Sequence, residues 1–327
     1  MRLKMQNNIY EDIIKKMADG GIQSPRLEAR LLIGFVLKID PNDAPLIKSI
    51  SIKEKEELDD FINKRLCGMP LDKILGQKSF YKYDFKVSEN VLSPRPDTEI
   101  LVEEAIKKTK AEDTILELGV GSGCVLLSIL KETRGTQGIG IDVSIEALKI
   151  AKENAKSLEL EQRCRFIEKN WNDDDFNDCF DNIKCANHWR QPVESELTAD
   201  FQSDWQAQLG GNGDTSGVSR MVLHKKVDII VSNPPYIKTE EIKTLDREVR
   251  LYDPLIALDG GADGLDCYRK IAKICQPIVQ KEGYILLEVG AGQAQDVEKI
   301  FLRQGWAHEQ TVKDLAGIKR VVILKNK

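Results

Sequence analysis

From about residue 112 the chain alternates short apolar runs with amphipathic ones, and this alternation restricts its architecture more than any other feature. Thr114–Leu118 is a strand-like run entering the loop Gly119-Val120-Gly121-Ser122-Gly123, and apolar spacing over 125–131 predicts a helix after it. Residues 138–141 read as a second strand ending at Asp142. Ser144 then N-caps a helix with Ile145, Leu148, Ala151 and Ala155 on one face. Residues 164–167 and 227–231 read as the third and fourth strands. A helix through Leu265, Tyr268, Ile271, Ala272, Cys275 and Ile278 precedes a fifth, over 284–289. Strands alternating with helices in this way build a mostly parallel, doubly wound sheet. The tail departs from the pattern: 306–312 and 320–325 are strand-like runs joined by a short turn. They are expected to form an antiparallel edge pair, for seven strands in all.

The region ahead of this sheet differs in kind. Residues 10–17 are amphipathic, and 26–37 place Leu27, Leu31, Leu32, Phe35 and Val36 at helical spacing. Ser51-Ile52-Lys53-Glu54 has the form of a capping box and opens a third helix through Phe61, Ile62 and Leu66, which Gly68-Met69-Pro70 stops. Residues 1–85 therefore read as a small helical domain, 86–111 as a connecting segment and 112–327 as an α/β domain; a chain of 327 residues has room for both. One stretch fits neither domain. No lysine occurs between Lys184 and Lys225, while Trp189, Trp205 and the run Gly210-Gly211-Asn212-Gly213-Asp214-Thr215-Ser216-Gly217 fall inside it. Residues 182–224 read as an insertion, flexible or partly helical over 193–209, serving either as a tolerated surface loop or as a partner-binding element. It joins the N-terminal end of the fourth strand, opposite the edge where such sheets bind ligands, and is expected to spare the site.

A net charge of −5 argues against a general polyanion binder, and no apolar run approaches the length of a membrane span. The start, Met1-Arg2-Leu3-Lys4, is basic but no apolar core follows, so no signal peptide is expected and an intracellular, cytoplasmic protein is the reading. Seven cysteines, with no CxxC pair, read as reduced thiols. Cys179, Cys185 and His188 lie close in sequence, but their spacing matches no common zinc pattern, and no metal is expected.

Two segments carry chemistry. Asn233-Pro234-Pro235-Tyr236 follows the fourth strand, and it can hold a planar –NH2 group by both hydrogens. The Asn233 side-chain oxygen and the Pro234 carbonyl are the acceptors, and the Tyr236 ring offers a face for the group to lie against. The strand-to-helix loop with Glu117, Gly119, Gly121 and Gly123 lets backbone approach a ligand and presents helix N–H groups. It does not match the dinucleotide fingerprint G-x-G-x-x-G, because Cys124 stands where the third glycine would be. Asp142 is placed to accept both hydroxyls of a ribose, the alternative being a mere helix cap. Asn170-Trp171 is placed to bind and cover an adenine, the alternative being a surface loop.

These cofactor-site features resemble those of class I S-adenosylmethionine-dependent methyltransferases. The segments Ser93-Pro94-Arg95-Pro96-Asp97-Thr98-Glu99, Asn233-Pro234-Pro235-Tyr236 and Ala257-Leu258-Asp259-Gly260-Gly261-Ala262-Asp263-Gly264-Leu265 resemble more narrowly the peptide chain release factor glutamine methyltransferases (the PrmC/HemK family). The likeness spans nearly the whole chain, with the insertion as the plain departure. It implies a Rossmann-like fold and S-adenosylmethionine as cofactor. It also implies methyl transfer to the side-chain nitrogen of the glutamine in the Gly-Gly-Gln motif of release factors, by a monomer. It places Arg95 and Glu99 beside the acceptor; an interdomain salt bridge or a helix start is the alternative for them. Two other readings stay open on the residues alone: an adenine-N6 methyltransferase acting on nucleic acid, and a non-catalytic release-factor- or cofactor-binding protein.

Overall fold

The computed structural model describes residues 2–4, 9–171, 173, 176 and 226–327. The insertion at 182–224 and the trio Cys179, Cys185 and His188 lie outside the described residues.

The N-terminal part holds β1 (Arg2–Lys4), α1 (Ile9–Asp19), α2 (Pro25–Leu37), β2 (Ser49–Ser51), α3 (Ile52–Leu66) and α4 (Leu71–Leu75). The expected capping box starts α3: Ser51 Oγ accepts the Glu54 N–H at 3.2 Å and Glu54 Oε2 accepts the Ser51 N–H at 2.5 Å. Met17, Leu32, Ile33, Leu58 and Ile62 close a separate small core between these helices. Each such side chain contributes about 1.5–3 kcal/mol of transfer free energy, so a core of this size can hold short helices that would be marginal alone.

The helical reading of 1–85 fails at its end. Residues 77–86 form a hairpin, β3 (Gln77–Phe80) and β4 (Tyr83–Lys86), whose register pairs Phe80 with Tyr83 across a two-residue turn. The turn requires positive φ, which Tyr81 adopts at 57°. Phe80 and Phe85 contact edge-on with centroids 6.1 Å apart, and they are buried with Leu101, Leu126 and Ile229 rather than in the helical core.

After α5 (Glu99–Lys108) come β5 (Thr114–Leu118), α6 (Cys124–Glu132), β6 (Gln137–Asp142), α7 (Ile145–Ser157) and β7 (Cys164–Glu168). Beyond the insertion lie β8 (Val227–Ser232), α8 (Arg247–Tyr252), α9 (Asp266–Cys275), β9 (Val279–Glu288), α10 (Ala294–Arg303), β10 (Ala307–Lys313) and β11 (Lys319–Lys325). The seven strands lie in the order β10-β11-β9-β8-β5-β6-β7, parallel except for β11, which runs antiparallel to both β9 and β10. Period-two alternation feeds both faces: Ile115 on β5 and Leu286 on β9 enter one core, while Leu116, Leu118, Ile285 and Leu287 enter the other. The strand β9 begins five residues before the expected 284. Its polar start, Gln280-Lys281-Glu282-Gly283, falls in the register irregularity between the Val227–Val279 and Ile229–Tyr284 pairs, with Glu282 at φ 67°.

The strand order reverses between β5 and β8. At such a switch point connections leave in opposite directions, and the carboxyl ends of the two strands flank a crevice. Leu118 is paired with Ser232 there, so the glycine loop and the Asn-Pro-Pro-Tyr segment leave the sheet side by side. Ser232 Oγ donates to the Leu118 carbonyl at 2.7 Å, tying the two strand ends together.

Candidate active site

Two cavities meet at this crevice. The first, about 350 Å³, is bounded by Gly119, Gly121, Asp142, Asn170, Trp171, Asn233 and Pro235, with Asn90 to Leu92 and Lys270 completing the wall. The second, about 330 Å³, is bounded by Arg95, Asp97, Asn233, Pro234, Tyr236 and Glu288. Consecutive residues of the Asn-Pro-Pro-Tyr segment thus serve different cavities. Leu92, Asn233 and Ala257 border both, and Asn233 is the polar member of that partition.

The glycine loop forms the floor of the first cavity. Gly119 has φ 73°, which favours glycine, and the Trp171 ring lies over it, 3.5 Å from where a Cβ would stand. Gly119 and Gly121 reach the cavity; Gly123 does not. Gly123 is the N-cap residue of α6, where a Cβ would press on Leu127 at 3.0 Å. Having no side chain, it leaves the first turn of α6 without a cap. Glu117 supplies one from the strand: its buried Oε2 accepts the Leu126 N–H at 2.9 Å. Burial holds the Glu117 carboxyl well above its ordinary range. Glu117 therefore stands behind the loop rather than in the cavity wall.

Asp142 closes the end of β6. Its Oδ2 accepts the Gly121 N–H and its Oδ1 the Ser144 N–H, both at 2.9 Å, while burial raises its pKa and these bonds oppose the rise. Ser144 itself caps α7 by accepting from Ala147 N–H at 3.2 Å, so Asp142 is not that helix's cap. One bond per oxygen leaves further lone pairs for donors from a ligand. A paired-hydroxyl sugar, a flat ring under Trp171 and close backbone at Gly119 and Gly121 are what this cavity accommodates. These are the demands of an adenosyl group, and the residues present fit it.

In the second cavity Asn233 Nδ2 donates to Thr98 Oγ1 at 3.2 Å. Its Oδ1 and the Pro234 carbonyl have no partner among the described residues. The loop 257–265 clamps the segment from outside. Ile237 N–H donates to the Leu258 carbonyl at 3.0 Å, Gly260 N–H to the Ile237 carbonyl at 2.8 Å, and Gln293 Nε2 to the Tyr236 carbonyl at 2.9 Å. A Cβ on Gly260 would lie 2.7 Å from Tyr236 Cα, and one on Gly264 2.4 Å from the Tyr236 carbonyl oxygen, which is why this loop is glycine-rich. The Tyr236 hydroxyl points to Glu288 Oε1 at 3.5 Å, and burial pushes that phenol up to about 12.

Arg95 and Glu99 each have a structural partner in the fold. Arg95 pairs with Asp253 Oδ2 at 2.7 Å, and Glu99 starts α5 with its Oε1 accepting the Tyr81 N–H at 2.8 Å. Arg95 nonetheless borders the second cavity; Glu99 does not. Asp253 also meets Lys73 of α4 at 3.3 Å, both side chains 3% exposed, and Lys73 Nζ donates to the carbonyls of Ser88, at 2.7 Å, and Val91. Farther out, Arg65 of α3 joins Glu28 at 2.6 Å to Glu248 of α8 at 2.7 Å. Lys73 thus fastens the helical region to the wall of the first cavity through the Val91 carbonyl and to that of the second through Asp253 and Arg95. Asp253 and Lys73 were not singled out from sequence, and Thr98 and Glu288 were given no role of their own, since each works through a residue far away in the chain. Among the described residues no group of three or more His, Cys, Asp or Glu side chains could hold a metal ion.

The chain is similar to known proteins over most of its length. Residues 109–235 match a methyltransferase domain, and residues 9–76 match the PrmC N-terminal domain. The release factor glutamine methyltransferase of Caulobacter vibrioides is 33% identical over 94% of this chain and 92% of its own length. That of Agrobacterium fabrum is 34% identical over 95% and 94%, and that of Thermodesulfovibrio yellowstonii 36% over 91% and 91%. The chain belongs to the release factor glutamine methyltransferase family.

Proposed function

We propose that this protein transfers a methyl group from S-adenosylmethionine to the side-chain amide nitrogen of the glutamine in the Gly-Gly-Gln motif of peptide chain release factors. The observation that carries the reading is the partition: one polar side chain, Asn233, borders both the adenosyl-shaped cavity and the one beside it.

S-adenosylmethionine supplies a methyl group on a sulfonium, an electrophile with a good leaving group. Gly119, Gly121, Asp142, Asn170 and Trp171 would hold it. The protein's remaining task concerns the acceptor, because an amide nitrogen is a poor nucleophile whose lone pair is delocalised into its carbonyl. Asn233 Oδ1 and the Pro234 carbonyl accept its two N–H bonds, turn the nitrogen toward the first cavity and stabilise the positive charge that builds on it during attack. Tyr236 and Pro234 supply the apolar surface that excludes water from the acceptor. Holding nitrogen and methyl in line is the other contribution, and positioning of this kind reaches about 7–11 kcal/mol in favourable cases. Residues 1–85 serve as the substrate-recognition domain, 86–111 as the connection that brings Thr98 and Arg95 to the site, and 112–327 as the catalytic domain. The protein works in the cytoplasm as a monomer, without a stable nucleic-acid or membrane partner. No helix among the described residues is long and apolar enough to cross a membrane.

The test is methyl transfer from labelled S-adenosylmethionine to a purified release factor, to its Gln→Ala variant and to DNA. Label on the first alone is expected. Label on DNA, or equal label on both release factors, overturns the reading.

A further inference from the structure

The Asn233 side chain poses a problem of symmetry. A carboxamide has nearly the same shape after a half-turn, yet only one orientation presents an acceptor oxygen to the substrate nitrogen; the other sets N–H against N–H. Thr98 Oγ1 receives Nδ2, but a hydroxyl can donate as readily as it accepts, so Thr98 alone does not decide the orientation. Its proton must be committed elsewhere.

Glu288 provides that commitment. It ends β9, and the β8–β9 register pairs Ser232 with Leu287, which brings Glu288 level with Asn233 on the adjacent strand. The Glu288 carboxyl is 2% exposed and borders the second cavity. Its Oε2 is buried without a hydrogen-bond partner among the described residues, while Oε1 faces the Tyr236 hydroxyl. The Thr98 hydroxyl lies near the same carboxyl, with no hydrogen bond formed between them here, and favours its ionised form. We propose that Glu288 and Thr98 are positioning residues that fix the Asn233 amide with Oδ1 toward the acceptor, a step that rests on the transfer reaction proposed above. An ionised carboxylate only accepts, so the Thr98 O–H turns to it and the Thr98 lone pairs remain for Nδ2. A protonated carboxyl donates instead, releases the Thr98 hydroxyl toward Asn233, and the lock is lost.

The groups facing Glu288 are Asp97 and Thr98 from the turn before α5, Arg320 from β11, Tyr236, Tyr268 from α9, whose hydroxyl donates to the Glu288 carbonyl at 2.8 Å, and Cys124 from α6. Burial outweighs the help from Arg320 and the hydroxyls and raises the carboxyl to about 7, so the lock engages as pH rises through neutrality.

The experiment combines kinetics with NMR on the full chain. Thr98→Val is expected to lower kcat for transfer to a release factor about tenfold, the upper range for one neutral hydrogen bond, with the Kd for S-adenosylmethionine unchanged within about twofold. Thr98→Ser should return to within about threefold of the parent. The Asn233 side-chain NH2 signals, identified by their loss in Asn233→Ala, should move with pH around 7 in the parent protein and stay still in Glu288→Gln. This reading needs no acceptor, so it stands apart from whether release factors are the substrate, and it serves even where Thr98→Val fails to fold. Asn233 signals insensitive to pH in the parent, a Thr98→Val enzyme at full rate, or a parallel loss of cofactor affinity overturns the proposal.

Discussion

The two cavities of the crevice are built by different means. The first is shaped by main chain: a glycine loop, one strand-end carboxylate held by two backbone N–H groups, and an indole laid over a residue with no side chain. The second is shaped by side chains from segments far apart in the chain, Arg95 with Asp253, Thr98 with Asn233, and Tyr236 with Glu288, several of them charged and buried. The first resembles a mould that any sequence meeting the backbone demands will reproduce. The second is a set of pairings in which each member is costly without its partner.

The largest expected effect is therefore a break in the second cavity's support. Lys73→Ala removes the buried cation of the Lys73–Asp253 pair and leaves a carboxylate at 3% exposure with only Arg95, itself 44% exposed. Loss of about 3–5 kcal/mol in urea unfolding is expected, the range for orphaning one member of a buried pair. Asn233→Ala comes next, with transfer reduced about 10²–10³-fold at nearly unchanged cofactor affinity, the scale for removing one preorganised polar contact to developing charge. Equal loss of binding and transfer would place Asn233 in the first cavity alone.

Glu288→Gln should trade function for stability. The folded protein keeps the Glu288 proton up to about pH 7, whereas the unfolded chain releases it near 4.5. Between those values the folded state binds more protons, so this group's contribution makes stability fall as pH rises, reaching about 3 kcal/mol above pH 7. The variant should gain most over the parent at pH 8 and lose that advantage at pH 4; thermal unfolding at the two pH values measures it. Smallest, and confined to the first cavity, Asp142→Ala should weaken S-adenosylmethionine binding by about 1.5–3 kcal/mol in calorimetry, as expected for lost hydrogen bonds to a charged group. Unchanged affinity would remove Asp142 from the cofactor's binding set.

The same contrast decides what could be read from sequence. Period-two strands, helical spacing and the capping box at Ser51 come from local rules, and the seven strands lie where those rules put them, with β9 extended and residues 77–86 turned into a hairpin by tertiary packing of Phe80 and Phe85. Gly119, Gly121, Asp142, Asn170 and Trp171 could be chosen because each follows a strand end. Glu117, inside β5 and read with the same loop, instead turns away to cap α6, a role set by the missing side chain at Gly123 six residues on. Asp253 has no local signature, and the segments that hold Thr98 and Glu288 do not show what those side chains do. Their meaning arises where β8, β9 and the turn before α5 converge, and hydrophobic periodicity carries no trace of that meeting.

The partition between the cavities also has a stereochemical meaning. Leu92, Asn233 and Ala257, the residues common to both walls, contain no thiol, amine or imidazole that could take up a methyl group and pass it on. Cys267 and Lys270 border the first cavity alone, so a carbon that crosses that wall directly does so in one displacement. A methyl group made chiral with hydrogen isotopes would emerge on the acceptor nitrogen with its handedness inverted.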